Sequence, residues 1–334
     1  MTDKTLGLDD IQRLYELTYD LVGCGKNAGT DLSQEYQRIN RKLESVRKGY
    51  ISSLTPWDKV KLARHRNRPT ALDLINCIIE DYLELHGDRC LGDDAAVTGG
   101  MGWFAGHPVT VIGLQKGCTT TEKLKRNFGM PSPEGYRKSL RLMKQAEKFG
   151  RLIICFIDSP GAYPGIRAEE RGQAFAIAGI LMEMTVLRTP VITVITGEGG
   201  GGGTLALGMG DRIFMLEHAV YSVVSPEAAA AVLWKDTAYA SHAAEYLKLT
   251  AQDLDYFGII DGIIPEPGLG AHTSPEETAG MIADYLSGPV EELLYIEPDE
   301  LLKRRYQRFM TIMNYRDRDI DAEADSFAGK QHAI

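Results

Sequence analysis

The feature that most constrains this chain is a β-rich run over 191–196 that empties into Gly197-Glu198-Gly199-Gly200-Gly201-Gly202-Gly203 and then Thr204-Leu205-Ala206-Leu207-Gly208. Glycines let a backbone turn sharply and leave no Cβ to hold a ligand away. A helix that starts here leaves its first N–H groups without intrahelical acceptors, ready for an anion. A tight turn with close helix packing would also use glycines. Five in a row, residues 199–203, surrender more backbone entropy than a turn requires, which weighs toward a ligand. Read literally, Gly197, Gly199 and Gly202 satisfy G-x-G-x-x-G after a strand. A dinucleotide-binding unit then needs a crossover of about ten to twelve residues or more, helix included, before its next strand. The next β-rich run begins at Arg212, which leaves too little chain. No Gly-Lys-Ser/Thr comes after it, so the P-loop reading fails as well. The run is better read as an oxyanion hole, in which two backbone N–H groups face an oxygen that gains negative charge.

Around this element, β-rich runs at 107–114, 152–158, 191–196, 212–216, 220–224 and 259–264 alternate with helical patterns at 133–149, 168–187, 226–234 and 275–286. Such alternation predicts an α/β layered domain. Three helices open on the same tripeptide, at Ser132, Ser225 and Ser274, each followed by Pro and Glu. Serine is an N-cap residue, proline is pre-set for the first helical position, and glutamate faces the positive helix end. Before the domain, Ile11, Leu14, Leu17 and Leu21 recur at helical spacing, and 32–50 forms a second amphipathic stretch. Residues 291–316 read as helical with a restart near Pro298. The expected layout is a helical extension over 1–54, one α/β domain with its C-terminal helix over 55–316, and a tail over 317–334.

Composition excludes several functions. A net charge of −9 disfavours nucleic acid as the main partner, because that role needs a basic face. There is no apolar run of about 18 residues for a membrane span, and the N-terminus is polar, so the expected location is the cytoplasm. None of the five cysteines stands at C-x-x-C spacing and no histidines form an HExxH pair, so no metal site is expected in this chain. Against the acidic background, Lys116, Lys123, Lys125, Arg126, Arg137 and Lys138 form a local basic set, a candidate for phosphate or carboxylate contacts.

Several longer strings carry a resemblance: Ala63-Arg64-His65 with Arg68-Pro69, His86-Gly87-Asp88-Arg89, Arg126-Asn127-Phe128-Gly129-Met130-Pro131, Asp158-Ser159-Pro160-Gly161-Ala162-Tyr163-Pro164-Gly165, Glu169-Glu170-Arg171-Gly172-Gln173 and Arg304-Arg305-Tyr306-Gln307-Arg308. From about residue 55 to 310 the chain resembles the alpha subunits of bacterial acetyl-coenzyme A carboxylase carboxyltransferases. The resemblance implies a crotonase-like spiral of ββα units with N-terminal and C-terminal helical extensions. It also implies a zinc-carrying beta subunit in an α2β2 assembly, carboxybiotin on a biotin carboxyl carrier protein, and a separate biotin carboxylase that alone uses ATP. The implied reaction gives malonyl-CoA from acetyl-CoA for fatty acid synthesis. By motif, Gly202 and Gly203 become the N–H pair facing biotin, with Gly161, Tyr163, Pro164, Gly165, Gly200 and Gly201 lining the biotin side. Lys116, Lys123, Lys125, Arg126 and Arg137 stay candidates for coenzyme A contacts.

The chain departs from the family's usual residues at Leu114, Cys118, Ala228 and Ala229, and at Gly201, where serine is typical. These departures keep open a different acyl-CoA in a specialised pathway, or a catalytically weak scaffold or regulatory paralogue. A stand-alone hydratase or isomerase of the same fold would need its own acid–base carboxylate beside a second oxyanion hole. A serine peptidase would need a serine in the glycine elbow, which is absent from 197–203.

Overall fold

A computed structural model describes residues 13–14, 17–18 and 33–312, so most of the first predicted helix and the tail 317–334 lie outside the described residues. In chain order come helices α1 Ser33–Ser53, α2 Pro56–Ala63 and α3 Ala71–Ile78, then strands β1 Glu80–Glu84, β2 Val97–Phe104 and β3 His107–Leu114. Helices α4 Thr120–Lys125 and α5 Pro133–Lys148 lead to β4 Leu152–Ser159, and α6 Ile166–Glu170 and α7 Gln173–Val186 lead to β5 Val191–Gly200. After α8 Gly201–Gly208 come β6 Arg212–Leu216 and β7 Val220–Ser222, then helices α9 Pro226–Trp234, α10 Ala240–Tyr246 and α11 Ala251–Tyr256. The chain closes with β8 Gly262–Ile264, α12 Pro275–Leu294 and α13 Pro298–Thr311.

One sheet runs β1-β2-β3-β4-β5-β6-β8, with β7 paired to β5 off that path. β1, β2 and β3 are antiparallel, and the order β3-β4-β5-β6-β8 is parallel. Every residue of β4 and β5 is buried, as expected where helices cover both faces of a parallel sheet. The core joins Ile154, Phe156, Ile192 and Val194 to Leu142 and Met143 of α5 and Ile180 and Met184 of α7.

The sequence pattern does not reveal β1 and β2. Glycines at positions 99, 100 and 102 dilute the β signal of β2, yet the fold requires them. A Cβ at Gly100 would run into the carbonyl oxygen of Leu83 on β1, and one at Gly102 into Ile79. The helix expected over 168–187 divides into α6 and α7 because Gly172 takes φ +81 between them. α12 continues past the expected residue 286 to Leu294 and contains Pro289. Of the three Ser-Pro-Glu openings, only Ser225 caps with its side chain, accepting from the Ala228 N–H at 3.2 Å. Ser132 and Ser274 make no such bond, and the Ser132 N–H instead donates to Asp94 Oδ2 at 2.7 Å.

Candidate active site at the end of the fifth strand

The expected strand 191–196 extends to Gly200, so the first glycines of the run are part of β5 itself. β5 changes partners along its length. Ile192–Ile195 pair with Arg212–Met215 of β6, whereas Glu198–Gly200 pair with Val220–Ser222 of β7. On the other edge the register against β4 passes from Ile157↔Ile195 to Ser159↔Gly199. Three residues of β5, Thr196 to Glu198, therefore stand opposite Asp158 alone. Such a bulge bends a strand and re-aims the backbone beyond it. Here it turns β5 into α8, with Gly200 as N-cap and Gly201 at φ +63.

The glycines of the run do different work. A Cβ at Gly199 would strike the Tyr221 ring, and one at Gly200 the Pro160 carbonyl. At Gly203 it would come within 2.5 Å of both the Ala162 nitrogen and Tyr136 Oη. These three are required by close packing, so the packing reading of the run holds for them. At Gly202 nothing lies within 4 Å of a Cβ position. The left-handed conformation of Gly201 is strained for a residue with a side chain and suits glycine.

Gly201 and Gly202 open onto a cavity of about 550 Å³ lined by Leu205, Tyr221, Val223, Leu254 and Phe257, with Lys248 among the lining residues. The lining holds no carboxylate, imidazole or thiol. Leu205 of α8 gives one part of its apolar wall, and the rest comes from Tyr221 and Val223 in and after β7, Leu247 after α10, and Leu254, Phe257 and Ile259 in and after α11, which the glycine pattern does not indicate.

The loop after β4 closes over the start of α8. Gly161 has φ +145, and Ser159 Oγ donates to the Gly161 carbonyl at 3.0 Å. The Tyr163 N–H donates to the Pro131 carbonyl at 3.0 Å, and Gln173 Nε2 donates to the carbonyls of Pro131 and Tyr163 at 2.8 and 3.0 Å. Gly165 is held under the Tyr163 ring, which a Cβ there would strike, while Pro164 is exposed. The predicted residues Gly161, Tyr163, Pro164 and Gly165 thus sit on the loop that packs against Gly200 and Gly203.

Behind the turn lies a frame of charges that sequence reasoning does not resolve. Asp158 Oδ1 accepts from the Glu198 N–H at 2.8 Å and lies 2.6 Å from Lys116 Nζ. Arg64 reaches Glu198 Oε1 at 2.6 Å and Glu227 Oε1 at 2.5 Å. Deeper still, Arg68 Nε donates to the Thr196 carbonyl at 2.6 Å, and both its Nη atoms bind Glu266. Burial alone would raise the Glu266 carboxyl, but Arg68 and the Ala271 N–H hold it down at about 2. Burial, with His65 and Arg68 nearby, lowers His272 to about 4, so its ring is neutral near pH 7.

Most of the basic set is engaged inside the chain. Lys116 belongs to the charge frame. Arg126 donates to the Ala95 carbonyl at 2.7 Å, and Arg137 pairs with Asp88 at 2.8 Å and Glu134 at 3.2 Å. Burial raises Asp88, but Arg137 and the N–H groups of Cys90, Leu91 and Gly92 bring it to about 2. Lys138 is buried and donates to the Val97 carbonyl at 2.9 Å. Lys123 and Lys125 lie in the last turn of α4, away from the glycine cavity's lining residues. The geometry therefore gathers the glycine run and the 158–165 loop into one site, with Lys116 alone of the basic set paired to it through Asp158.

Residues 8–313 match the family described as acetyl co-enzyme A carboxylase carboxyltransferase-like. The chain belongs to that family. It is 53% identical over 290 residues to the acetyl-coenzyme A carboxylase carboxyl transferase subunit alpha of Anoxybacillus flavithermus, covering 87% of this chain and 89% of the relative. The protein of the same name from Listeria monocytogenes is 52% identical over 296 residues, covering 89% and 93%. A Pseudomonas malonate decarboxylase hetero-dimer matches with TM-score 0.55 at 16% identity, over 73% of this chain and 98% of that one. A transcarboxylase 12S structure matches with TM-score 0.51 at 21% identity, over 64% and 41%. These likenesses show the crotonase-like fold. Of the positions singled out in the sequence, Leu114 is buried at the end of β3, Cys118 is exposed, and Ala228 and Ala229 lie in the first turn of α9, and none of the four lines the glycine cavity. Among the described residues no group of His, Cys, Asp and Glu is arranged to hold a metal, and no helix is long and apolar enough to cross a membrane.

Proposed function

We propose that this chain is one half of a carboxyltransferase. With a beta subunit it moves the carboxyl group of carboxybiotin, borne on a carrier protein, to acetyl-CoA and gives malonyl-CoA. The observation that carries this reading is the open face of Gly202. Its neighbours in the run are explained by packing or backbone conformation, whereas Gly202 faces free space beside a cavity.

Carboxybiotin supplies an activated carboxyl group and a ureido nitrogen able to take the substrate proton. This chain supplies the N–H groups of Gly202 and Gly203 at the positive end of α8, facing an oxygen whose charge rises as the carboxyl group leaves. The hydrocarbon of Leu205, Val223, Leu254 and Phe257 surrounds that position. In such surroundings a hydrogen bond to an anion is stronger than in water. The lining offers no carboxylate acid or base, which suits a reaction whose proton acceptor comes with the substrate and disfavours a self-sufficient hydratase. The thioester half of the site falls to the beta subunit, and Lys123 and Lys125 remain available for coenzyme A phosphates.

Co-expression with a beta subunit, followed by assay of biotin-dependent decarboxylation of malonyl-CoA, tests this reading. Turnover that requires both chains supports it. Hydration of an enoyl-CoA by the isolated chain, or no carboxyl transfer with any beta subunit, overturns it.

A further inference from the structure

The bulge of β5 explains how a turn made of glycine can be aimed at all. Glycine has the largest backbone freedom of any residue, so a glycine turn holds no direction unless its flanks are fixed. Thr196 and Gly197 fall between the register with β6 and the register with β7, and they stand opposite a single residue of β4. Side chains grip the backbone at this gap. Arg68 holds the carbonyl of Thr196 at 2.6 Å, and Asp158 holds the N–H of Glu198 at 2.8 Å. Both side chains are buried, at 5% and 7% exposed for the whole residue. Each is itself fixed by an ion pair, Arg68 to Glu266 at 2.5 Å and Asp158 to Lys116 at 2.6 Å. Gly197 leaves room for this arrangement, since a Cβ there would overlap the Asp158 carboxylate.

We propose that Asp158 and Arg68 are positioning residues that clamp the β5 bulge and thereby aim the Gly202 and Gly203 N–H groups. The clamp acts through the backbone, gripping it four to seven residues before the aimed N–H groups, rather than through contact with substrate. The catalytic part of this inference rests on the assignment of those N–H groups as the oxyanion donors; the clamp itself can be read without substrate.

Hydrogen exchange provides that substrate-free reading in the full chain assembled with its beta subunit. Asp158→Ala is expected to raise exchange across 197–204 relative to wild type. Asp158→Asn keeps an oxygen acceptor for the Glu198 N–H and is expected to restore most of the protection. Equal exchange in wild type, Asp158→Ala and Asp158→Asn overturns the clamp, whatever the assembly catalyses. In carboxyl transfer, misplacement of about 1 Å lowers turnover roughly 10²-fold, so Asp158→Ala should lose kcat on that scale. KM for malonyl-CoA should stay within about threefold, because ground-state binding is not removed. Arg68→Lys should retain less kcat than Asp158→Asn, since lysine cannot hold Thr196 and Glu266 together in the fork of a guanidinium. Loss of protection with unchanged kcat in an active assembly rejects the oxyanion assignment and leaves the clamp standing. A uniform fall in thermal stability with unchanged exchange at 197–204 rejects the clamp.

Discussion

The two ends of β5 are built on opposite principles. At its N-terminal end one guanidinium uses all five of its N–H donors. Arg305 is 2% exposed and binds both oxygens of Asp211, at 2.8 and 2.6 Å, and the carbonyls of Met184, Leu187 and Thr189. Asp211 in turn accepts from the Val191 N–H at 2.8 Å. At the C-terminal end the strand finishes in glycine, and Gly202 faces a cavity with no side chain of its own. One end is closed by side-chain charge, and the other presents bare backbone. Ligand sites in parallel α/β sheets favour the carboxyl ends of strands, where the next helices turn their N-termini toward the opening. This chain divides its charges accordingly: the ion pairs hold the frame, and neutral peptide groups of the glycine turn border the cavity.

The largest effect should come from opening the closed end. Arg305→Ala leaves Asp211 buried without its partner and three carbonyls without a donor, a change that destabilises by about 3–5 kcal/mol. Urea unfolding should show it, and a midpoint unchanged from wild type would mean that the anchor is not needed.

Next comes a block at the open end. The side chain of Gly202→Val would stand in free space, so folding should persist while approach to the N–H groups is obstructed. Loss of one oxyanion donor lowers turnover by about 10²–10³, and a comparable loss is expected here with little change in thermal midpoint. Normal activity in this variant would remove Gly202 from the site.

A smaller effect separates the packed glycines from the open one. Gly200→Ala drives a methyl into the Pro160 carbonyl and should cost about 1–3 kcal/mol of stability. Gly202→Ala, by contrast, should unfold at nearly the wild-type urea concentration. If the two variants unfold alike, the distinction within the run is lost.

The smallest effect is on pH dependence. His272 titrates near 4 in the fold, below the usual value of about 6.5. As pH falls, the unfolded chain takes up this proton first. The contribution is therefore complete above about pH 6.5 and fades as pH drops toward 4. Glu266, held at about 2, contributes above its ordinary carboxylate range of about 4.3 and loses that contribution as pH falls toward 2. Urea midpoints taken from pH 7 downward should fall in these two stages. His272→Asn should flatten the first stage alone, and an unaltered profile would rule out His272 as its source.

Much of the fold was legible along the chain because its signals are local. The strand at 107–114, the helices opening at Pro133, Pro226 and Pro275, and the position of the glycine turn can be read from periodicity and cap chemistry within a few residues. β1 and β2 were hidden because Gly99, Gly100 and Gly102 are set by contacts with Leu142, Leu83 and Ile79 rather than by strand propensity. The pairing of the basic set was hidden for a related reason. A run of Lys and Arg looks free in sequence, yet Arg137 and Lys138 are occupied by Asp88 and Asp93.

At the site, neighbouring residues along the chain were enough to establish that a strand ends in glycine and that a short helix comes next. The longer strings were enough to place the chain in its family. Which glycine is open was settled in three dimensions, because Tyr221, Pro160 and Ala162 crowd Gly199, Gly200 and Gly203 from other segments and leave Gly202 clear. So was the means of holding the turn: Arg68 meets Glu266 across 198 residues of chain and grips the carbonyl of Thr196 between them. Local propensity sets where a backbone can bend. The direction of the bend depends on partners that only folding brings together.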